Sequence, residues 1–237
     1  MAFLFSTSAA FTSRIMYLCL MQEPLLDTYL HKGLRQKLVD ELRTLGITNE
    51  TVLTAINTVP RHFFLDTALE RLAYENRAFP IAAGQTISHP FTVALQSQLL
   101  EVKPYEKVLE VGTGSGYQAA VLAVLKAKVF SIERQHELYK QMNNFAYLKT
   151  LNGIKRFYGD GFEGLPSFAP FDKVIVTAAA PYVPEKLVQQ MKEGGIMIIP
   201  VGDEDQQMKK IVKTANGYTE EIVGKAHFVP MLSGKQR

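Results

Sequence analysis

The strongest constraint on the fold is the stretch "VLEVGTGSGYQAA" (residues 108–120), where a short apolar run meets three glycines and then a helix-forming run. A short run rich in valine and leucine is typical of a buried strand. Gly112, Gly114 and Gly116 allow the backbone to turn sharply and to approach a ligand closely. A strand that enters a helix through such a turn indicates an α/β fold with a nucleoside-containing ligand at the carboxyl ends of its strands.

Strand-like and helix-like runs alternate through most of the chain that surrounds this loop. Strands are predicted at 107–111, 128–132, 154–158, 173–177 and 196–201, and helices at 117–125, 136–151 and 185–192. This alternation predicts a mostly parallel central sheet with helices on both faces. Two further extended runs, 209–214 and 221–229, are joined through Asn216-Gly217, a hairpin turn signal, and predict an antiparallel C-terminal strand pair.

The first hundred residues follow a different pattern. Helices are predicted at 25–45, 49–57 and 90–101, with a loop-rich segment at 77–89 before the last of them. Gly46 stops the first helix, and the second is capped near Thr48. We therefore expect one domain over residues 23–237, made of an N-terminal helical part (23–101) and a ligand-binding sheet (102–237).

Residues 1–22 stand apart from that domain. They are rich in Phe, Ser and Ala, and Arg14 is their only charged residue. Their Ser-rich, acid-free composition partly resembles that of a transit peptide, but no basic segment precedes a continuous apolar core. The interpretation that we favour is a disordered extension, or a translation start at Met16 or Met21.

Composition excludes several classes of protein. A net charge of +3 over 237 residues favours neither a nucleic-acid clamp nor an acidic tail. The single cysteine, Cys19, cannot form an internal disulfide, which suits a reducing compartment, and we expect a cytoplasmic protein. The histidines and the cysteine show no metal-ligand spacing, so no metal is predicted, and no apolar run is long enough to predict a membrane span.

Three acidic residues mark the predicted ligand edge of the sheet. Glu133 ends the next strand, 21 residues after Gly112, which is near the roughly 20-residue spacing at which an acid binds ribose hydroxyls. Asp160 follows the third strand, where an adenine amino group would lie. An ordinary Asp-Gly turn explains Asp160 equally well by itself, but beside Glu110 and Glu133 we favour the ligand contact. Glu110 would repel a pyrophosphate and would suit a ligand with an ammonium and a sulfonium group, such as S-adenosylmethionine.

The glycines themselves do not decide between cofactors. Counted from Gly114, the sequence "GSGYQA" fits the G-x-G-x-x-A fingerprint of dinucleotide-binding proteins. The loop lacks the Gly-Lys-Ser/Thr of a nucleoside-triphosphate site. A dinucleotide-binding protein therefore stays open as an alternative to an S-adenosylmethionine-binding one.

Four segments together resemble the protein-L-isoaspartate O-methyltransferase family: "LEVGTGSGYQAAVLA", "RAFPIAAGQTISHPFTVA", "GDGFEGLPSFAPFDKVIVTAAAP" and "GGIMIIPVG". The resemblance runs from about residue 25 to residue 230, and "GQTIS-x-P" with "VTAAAP" is far more specific than the glycine loop. It implies a Rossmann-like class I S-adenosylmethionine-dependent methyltransferase fold. It also implies methyl transfer to the free α-carboxylate of L-isoaspartyl residues in damaged proteins, after which the ester closes to a succinimide that partly hydrolyses to aspartate.

The same resemblance assigns roles to individual residues. Ser88 corresponds to the active-site serine, and Thr86, Ile87 and Ser88 to the substrate-binding loop. The residues that correspond to cofactor contacts are Glu110, Gly112, Thr113, Gly114, Glu133, Asp160, Gly161 and Thr177. A carboxylate is already a nucleophile at neutral pH, so no general base is required and His89 is expected to be a wall or surface residue.

The start of the helix at Pro90 is suited to bind a carboxylate, because unpaired N–H groups at a helix N-terminus attract anions. Ser88 and His89 would then lie at the cap, and an ordinary N-cap is the structural alternative for Ser88. A methyltransferase of RNA or of a small molecule is the functional alternative. We expect isoaspartyl proteins and peptides as partners, no nucleic acid, no membrane, and a monomer.

Overall fold

The computed structural model describes residues 26–236, so the predictions for residues 1–22 lie outside the described residues. A short antiparallel hairpin, β1 (Phe79–Pro80) and β2 (Thr86–Ile87), precedes the main sheet. The main sheet contains β3 (Lys107–Val111), β4 (Lys128–Glu133), β5 (Ile154–Tyr158), β6 (Phe171–Val176), β7 (Met191–Val201), β8 (Gln207–Thr214) and β9 (Gly217–Lys225). Its strand order is β5-β4-β3-β6-β7-β8-β9, parallel from β5 to β7 and antiparallel from β7 to β9.

The helices are α1 (Tyr29–Thr44), α2 (Glu50–Thr58), α3 (Pro90–Leu100), α4 (Tyr117–Val124), α5 (His136–Asn144), α6 (Ala146–Thr150) and α7 (Glu185–Gln189). Short 3₁₀ turns lie at Arg61–Phe64, Thr67–Leu72, Ala82–Gly84 and Pro166–Phe168. Within residues 26–236, no helix has the length and apolar character needed to cross a bilayer.

Alternate residues of the central strands pack into two separate hydrophobic clusters. Val108 and Ile175 lie in the cluster that contains α1–α4, whereas Leu109 and Val174 lie in the cluster on the other face, with α7. Side chains of a strand alternate between the two faces of a sheet, so this division shows that both faces are covered. The predicted mostly parallel α/β sheet with an antiparallel C-terminal pair is confirmed.

Two predicted helices end earlier than expected. The run 136–151 is divided into α5 and α6 by Phe145, whose backbone is extended (φ −68°, ψ 111°) and whose ring packs edge-on against Phe64 at 5.2 Å. The run 185–192 stops at Gln189 because β7 already begins at Met191 and pairs with Phe171 of β6. In both places a tertiary contact outweighs local helix propensity.

The last strand is displaced from its predicted position. β9 begins at Gly217, directly after the turn, rather than at 221, and Gly217 pairs with Thr214 of β8. The prediction placed this strand on the apolar run 221–229. Most side chains of β9 are exposed, so burial of that run does not determine where the strand begins. The cap of α2 is Asn49, whose Oδ1 accepts hydrogen bonds from the amides of Thr51 and Val52, and not Thr48. The hairpin β1–β2 within the loop-rich segment was not predicted.

A buried polar cluster joins the N-terminal elements. Asp27, His31 and His62 are close enough to share a metal ion. However, Arg35 donates two hydrogen bonds of 3.0 Å to the Asp27 carboxylate, and His62 is hydrogen-bonded to Tyr74 at 2.7 Å. A cation would compete with an arginine for the same carboxylate, so this cluster is built as a structural network.

We predict that Gly116→Ala lowers the free energy of unfolding by about 2–4 kcal/mol, measured by urea denaturation. Gly116 has a φ of 81°, and an added Cβ would lie 2.7 Å from Leu148 Cδ1. The loss therefore combines left-handed backbone strain with overpacking.

Gly46→Ala is the matched control, because Gly46 has a φ of 100° but no atom within 4 Å of an added Cβ. That variant should lose only the backbone strain, about 1–2 kcal/mol. Equal losses in the two variants would contradict the packing role of Gly116.

Candidate active site

A cavity lies at the carboxyl ends of β3, β4 and β6. Its walls come from residues 84–88 before α3, the glycine loop after β3, residues 132–135 at the end of β4, and residues 229–232. The predicted site residues that line it are Thr86, Ile87, Ser88, Gly112, Thr113, Gly114, Glu133, Gly161 and Thr177. Because parallel strands end at the same edge of a sheet, residues far apart in sequence meet here. Glu110 and Asp160 are the two predicted residues that do not line this cavity.

The three glycines of the loop have different requirements. Gly112 has a φ of 96°, and an added Cβ would lie 2.5 Å from Thr177 Oγ1, whose hydroxyl donates to the Gly112 carbonyl at 2.6 Å. Gly116 packs against Leu148 in the core. At Gly114 (φ 52°) the nearest atom to an added Cβ is Ile81 Cδ1, at 3.9 Å. Gly112 and Gly116 are therefore required by internal packing, and Gly114 is the one that leaves space for a ligand.

Glu133 supports the loop from the adjacent strand. Its side chain is only 5 % exposed, and its two carboxylate oxygens accept hydrogen bonds from the amides of Gly114 (2.9 Å) and Gln135 (2.8 Å). A carboxylate oxygen has two lone pairs, so each still has one available for a ligand hydroxyl. The position of Glu133 thus suits the predicted ribose contact while it also fixes the backbone of the loop.

Glu110 occupies a different environment from the one predicted. It is 0 % exposed and lies in a hydrogen-bonded chain in which the Ser131 hydroxyl bonds to the Glu110 carboxyl, and Thr113 Oγ1 lies 2.6 Å from Ser131 Oγ. Burial, together with the nearby charge of Glu133, raises the pKa of Glu110 to about 8, although the Ser131 bond opposes this. Glu110 does not line the cavity, and its raised pKa favours the protonated form at neutral pH, so in this structure it contacts the loop through Ser131 and Thr113. A contact between Glu110 and the ligand stays a prediction.

Asp160 lines a neighbouring pocket with Phe162 and Tyr182. Its Oδ1 accepts from the Phe162 amide at 2.9 Å, as in an Asp-Gly turn, and its Oδ2 accepts from the Gly234 amide at 2.6 Å. In this structure the Asp160 carboxylate fixes the C-terminal segment. A contact of Asp160 with an adenine group stays a prediction, while Gly161 beside it does line the main cavity.

Ser88 is not the N-cap of α3. The cap position is His89, which makes no side-chain cap bond, and Asn76 Oδ1 accepts from the Phe91 amide at 3.0 Å instead. The amide of Phe91 is thus already occupied, contrary to the expectation of bare N–H groups along the first turn. Ser88 is half-buried in the cavity wall, and its hydroxyl has no hydrogen-bond partner among residues 26–236. His89 is exposed and does not line the cavity.

Two polar residues of the cavity were missed by the sequence analysis. Tyr117 and Gln118 begin α4, and the Tyr117 hydroxyl and Gln118 Oε1 are buried with no hydrogen-bond partner in the described part of the chain. Gln118 Nε2 donates to Ser97 Oγ at 3.0 Å, which fixes the orientation of its side chain. Their position directly after the glycines was the available signal, but helix propensity alone does not show which side chains face a ligand.

The C-terminal segment closes the cavity on a third side. Ala179 donates its amide to the Val229 carbonyl (2.8 Å), and Met231 donates its amide to the Ala179 carbonyl (2.7 Å). These bonds hold residues 229–232 beside the end of β6, where they line the cavity. The pairing of β9 stops at Lys225, so residues 229–232 reach the cavity outside any strand of the main sheet.

The raised pKa of Glu110 predicts a pH-dependent stability. Between pH 4.5 and about 8 the native state keeps a proton on Glu110 that the unfolded chain has released. The free energy of unfolding therefore falls with rising pH in this window. We predict that Glu110→Gln, which removes the titration, gains stability relative to the wild type by up to about 1.4 kcal/mol per pH unit.

Urea denaturation at several pH values in that window measures this difference. The matched control is Glu137→Gln, because Glu137 is exposed on α5. The unfolding free energy of Glu137→Gln should change with pH in the same way as that of the wild type. If the unfolding free energy of Glu110→Gln also changes with pH as the wild type does, Glu110 is ionised in the native state.

Comparison with known proteins identifies relatives over most of the chain. The family profile described as protein-L-isoaspartate(D-aspartate) O-methyltransferase (PCMT) matches residues 33–236. The chain is 53% identical over 212 residues to a protein-L-isoaspartate O-methyltransferase of Christiangramia forsetii, covering 88% of this chain and 99% of the relative. It is 50% identical over 210 residues to the protein of the same name from Flavobacterium johnsoniae, with 88% and 99% covered.

Two solved structures share the fold. A protein-L-isoaspartate O-methyltransferase superposes with a TM-score of 0.76 and 26% identity over 83% of this chain and 65% of its own longer chain. A Plasmodium falciparum structure described as the same kind of enzyme, in complex with S-adenosyl-L-homocysteine, gives a TM-score of 0.73 and 25% identity over 84% of this chain and 98% of that one. The Rossmann-like methyltransferase fold and the resemblance inferred from the sequence are thereby confirmed. The chain belongs to the protein-L-isoaspartate(D-aspartate) O-methyltransferase family.

Proposed function

We propose that the cavity at the carboxyl ends of β3, β4 and β6 is where this chain carries out the activity of its family. The protein is a repair methyltransferase that transfers the methyl group of S-adenosylmethionine to the free α-carboxylate of L-isoaspartyl residues. One observation carries the assignment of the site. The Ser88 hydroxyl, which has no partner in the described part of the chain, lines the same cavity as Gly114 and Glu133.

The residues of the cavity fit S-adenosylmethionine. Gly114 leaves space beside the loop, and Glu133 offers acceptor lone pairs for ribose hydroxyls. Gln118 Oε1 is a buried acceptor without a partner in the described part of the chain, and a ligand ammonium would satisfy it. When bound, S-adenosylmethionine supplies an electrophilic methyl group on a sulfonium. Glu110 lies outside the cavity wall and is linked to the loop through Ser131.

The chain's own residues then have to hold and desolvate a carboxylate. The Ser88 hydroxyl donates a hydrogen bond to one carboxylate oxygen and leaves the other free to attack. Ile87 and Val93, both buried, are apolar residues of the cavity wall, and residues 229–232 line the cavity as well. Exclusion of water strengthens the nucleophile, because a hydrated carboxylate must lose its shell before it can react. No side chain has to remove a proton.

The end of β6 is suited to close approach of the two reactants. Thr177 and Ala178 line the cavity, and the Thr177 hydroxyl is already used, because it donates to the carbonyls of Gly112 and Val111. These side chains are small and present no competing donor. The cavity therefore aligns the methyl group and the carboxylate through its shape.

Substrate recognition is expected to rely on the peptide backbone. Thr86 is exposed beside the cavity, and a damaged residue can occur in many sequence contexts, so few side-chain pockets are needed. We expect the enzyme to act as a monomer on isoaspartyl proteins and peptides in the cytoplasm, without a nucleic acid or a membrane as partner. A rate that depends strongly on one flanking side chain would contradict this expectation.

We predict that Ser88→Ala lowers kcat/KM for an isoaspartyl peptide about ten- to a hundredfold, because it removes a hydrogen bond to a charged group. Its free energy of unfolding should change by less than about 0.5 kcal/mol, since Ser88 caps no helix in this structure. The measurement is transfer of labelled methyl groups to paired peptides that contain isoaspartate or aspartate.

Ser167→Ala is the matched control, because Ser167 lies exposed in a 3₁₀ turn away from the cavity. It should leave kcat/KM unchanged. Full activity of Ser88→Ala would remove Ser88 from the site. Equal labelling of the isoaspartyl and aspartyl peptides by the wild type would overturn the repair function itself.

We predict that Glu133→Gln raises the Kd for S-adenosylhomocysteine about tenfold or more in calorimetry. The substitution replaces charge-assisted bonds to the loop amides and to ribose by weaker ones. Glu137→Gln, on the exposed face of the neighbouring helix, should bind as the wild type does. NAD, offered as the dinucleotide alternative, should show no binding; tight NAD binding without S-adenosylhomocysteine binding would reverse the cofactor assignment.

A further inference from the structure

Arg61 is a fully buried arginine that the function described so far does not use. Its guanidinium donates hydrogen bonds to three backbone carbonyls, those of Ala73, Arg77 (3.0 Å) and Ser88 (3.0 Å). The first two belong to the loop region before β1, and the third belongs to the active-site serine. Arg61, which is 0 % exposed, therefore connects Ser88 to the segment that contains Ala73 and Arg77.

The charge of Arg61 has no carboxylate partner within residues 26–236. Among the residues that the structure describes, no ion pair involves Arg61 and its buried Nε has no hydrogen-bond partner. Its guanidinium lies 5.5 Å from the Phe79 ring centre and 5.7 Å from that of Tyr117. Burial lowers the pKa of Arg61 to about 10, so the side chain is still a cation at neutral pH. A buried cation without a counter-ion is unfavourable, and an anion bound nearby offsets that cost.

The bond to the Ser88 carbonyl has a directional consequence. In a trans peptide the C=O and the following N–H point in opposite directions, so a Ser88 carbonyl aimed at Arg61 aims the His89 amide away from it. The His89 amide has no backbone or side-chain acceptor among the described residues. The Ser88 hydroxyl and the His89 N–H are thus donors of adjacent residues that have no acceptor within residues 26–236, and of the two residues only Ser88 lines the cavity.

We propose that Arg61 is a positioning residue of the carboxylate site: it holds the Ser88 backbone so that the Ser88 hydroxyl, which lines the cavity, faces the isoaspartyl carboxylate. The proposal rests on the proposed function. The cation lies one peptide group behind the bound anion and also favours its binding. Arg61 touches neither reactant and acts through Ser88, so its loss raises KM for the peptide as well as lowering kcat.

A double-mutant cycle tests this role with Arg61→Lys, Ser88→Ala and the variant that combines both. Lysine keeps the charge, but its ammonium group lacks the planar set of donors with which the guanidinium binds three carbonyls. Arg61→Lys should lower kcat/KM for the isoaspartyl peptide about ten- to a hundredfold and leave the Kd for S-adenosylhomocysteine within about twofold. Because both residues act on one contact, the double variant should be no more than about threefold worse than Ser88→Ala.

Arg35→Lys is the matched control, since Arg35 is the other buried arginine and is paired with Asp27 away from the cavity. It should lower stability but leave the kinetics for the isoaspartyl peptide unchanged. If Arg61→Lys does not fold, as judged by near-UV circular dichroism, Arg61→Gln carries the same cycle, because a neutral amide keeps two donors without the buried charge.

Three results would overturn the proposal. They are additive effects in the cycle, an equal kinetic loss in Arg35→Lys, and a parallel loss of S-adenosylhomocysteine affinity in Arg61→Lys. Each would show that Arg61 supports only the fold, while an active wild type would leave the repair function intact. A wild type that methylates neither peptide overturns the repair function and this proposal together.

Discussion

The turn after β3 is the constraint on which the site depends, because the chain must leave the sheet there and enter α4 within a few residues. Gly112, Gly114 and Gly116 all have positive φ values. Two side chains hold this turn: the Thr177 hydroxyl, directly after β6, donates to the Gly112 carbonyl, and the Glu133 carboxylate accepts from the Gly114 amide. Once this turn is set, the carboxyl ends of three parallel strands surround one cavity.

Acidic residues with the same apparent role in the sequence have different roles in the fold. Glu133 lies at the cavity and holds loop amides, Asp160 holds the C-terminal segment, and Glu110 is protonated beneath the loop. The difference comes from solvation. Glu110 is fully buried without a cation beside it, and this burial raises its pKa and favours its protonated form.

The substrate side of the cavity comes from the N-terminal half of the chain. Asn76 accepts the hydrogen bond from the Phe91 amide at the start of α3, and Arg61 donates to the Ser88 carbonyl. The Ser88 hydroxyl itself makes no hydrogen bond within the described residues. The backbone of the loop before α3 is therefore held in place, while the Ser88 hydroxyl stays available to a ligand. The cofactor side and the substrate side are thus supported by different elements that meet at residues 84–88 and 112–118.

The sequence alone determined the α/β sheet and the glycine turn, because apolar periodicity and turn residues act locally. Its motifs also identified the family and nine residues that line the cavity. It could not show that Phe145 interrupts a helix, that β9 begins at Gly217, or that Glu110 is neutral. Those outcomes, and the bond from Arg61 to Ser88, depend on groups distant in sequence. Only the tertiary structure decided them, because packing and desolvation are set by which distant residues become neighbours.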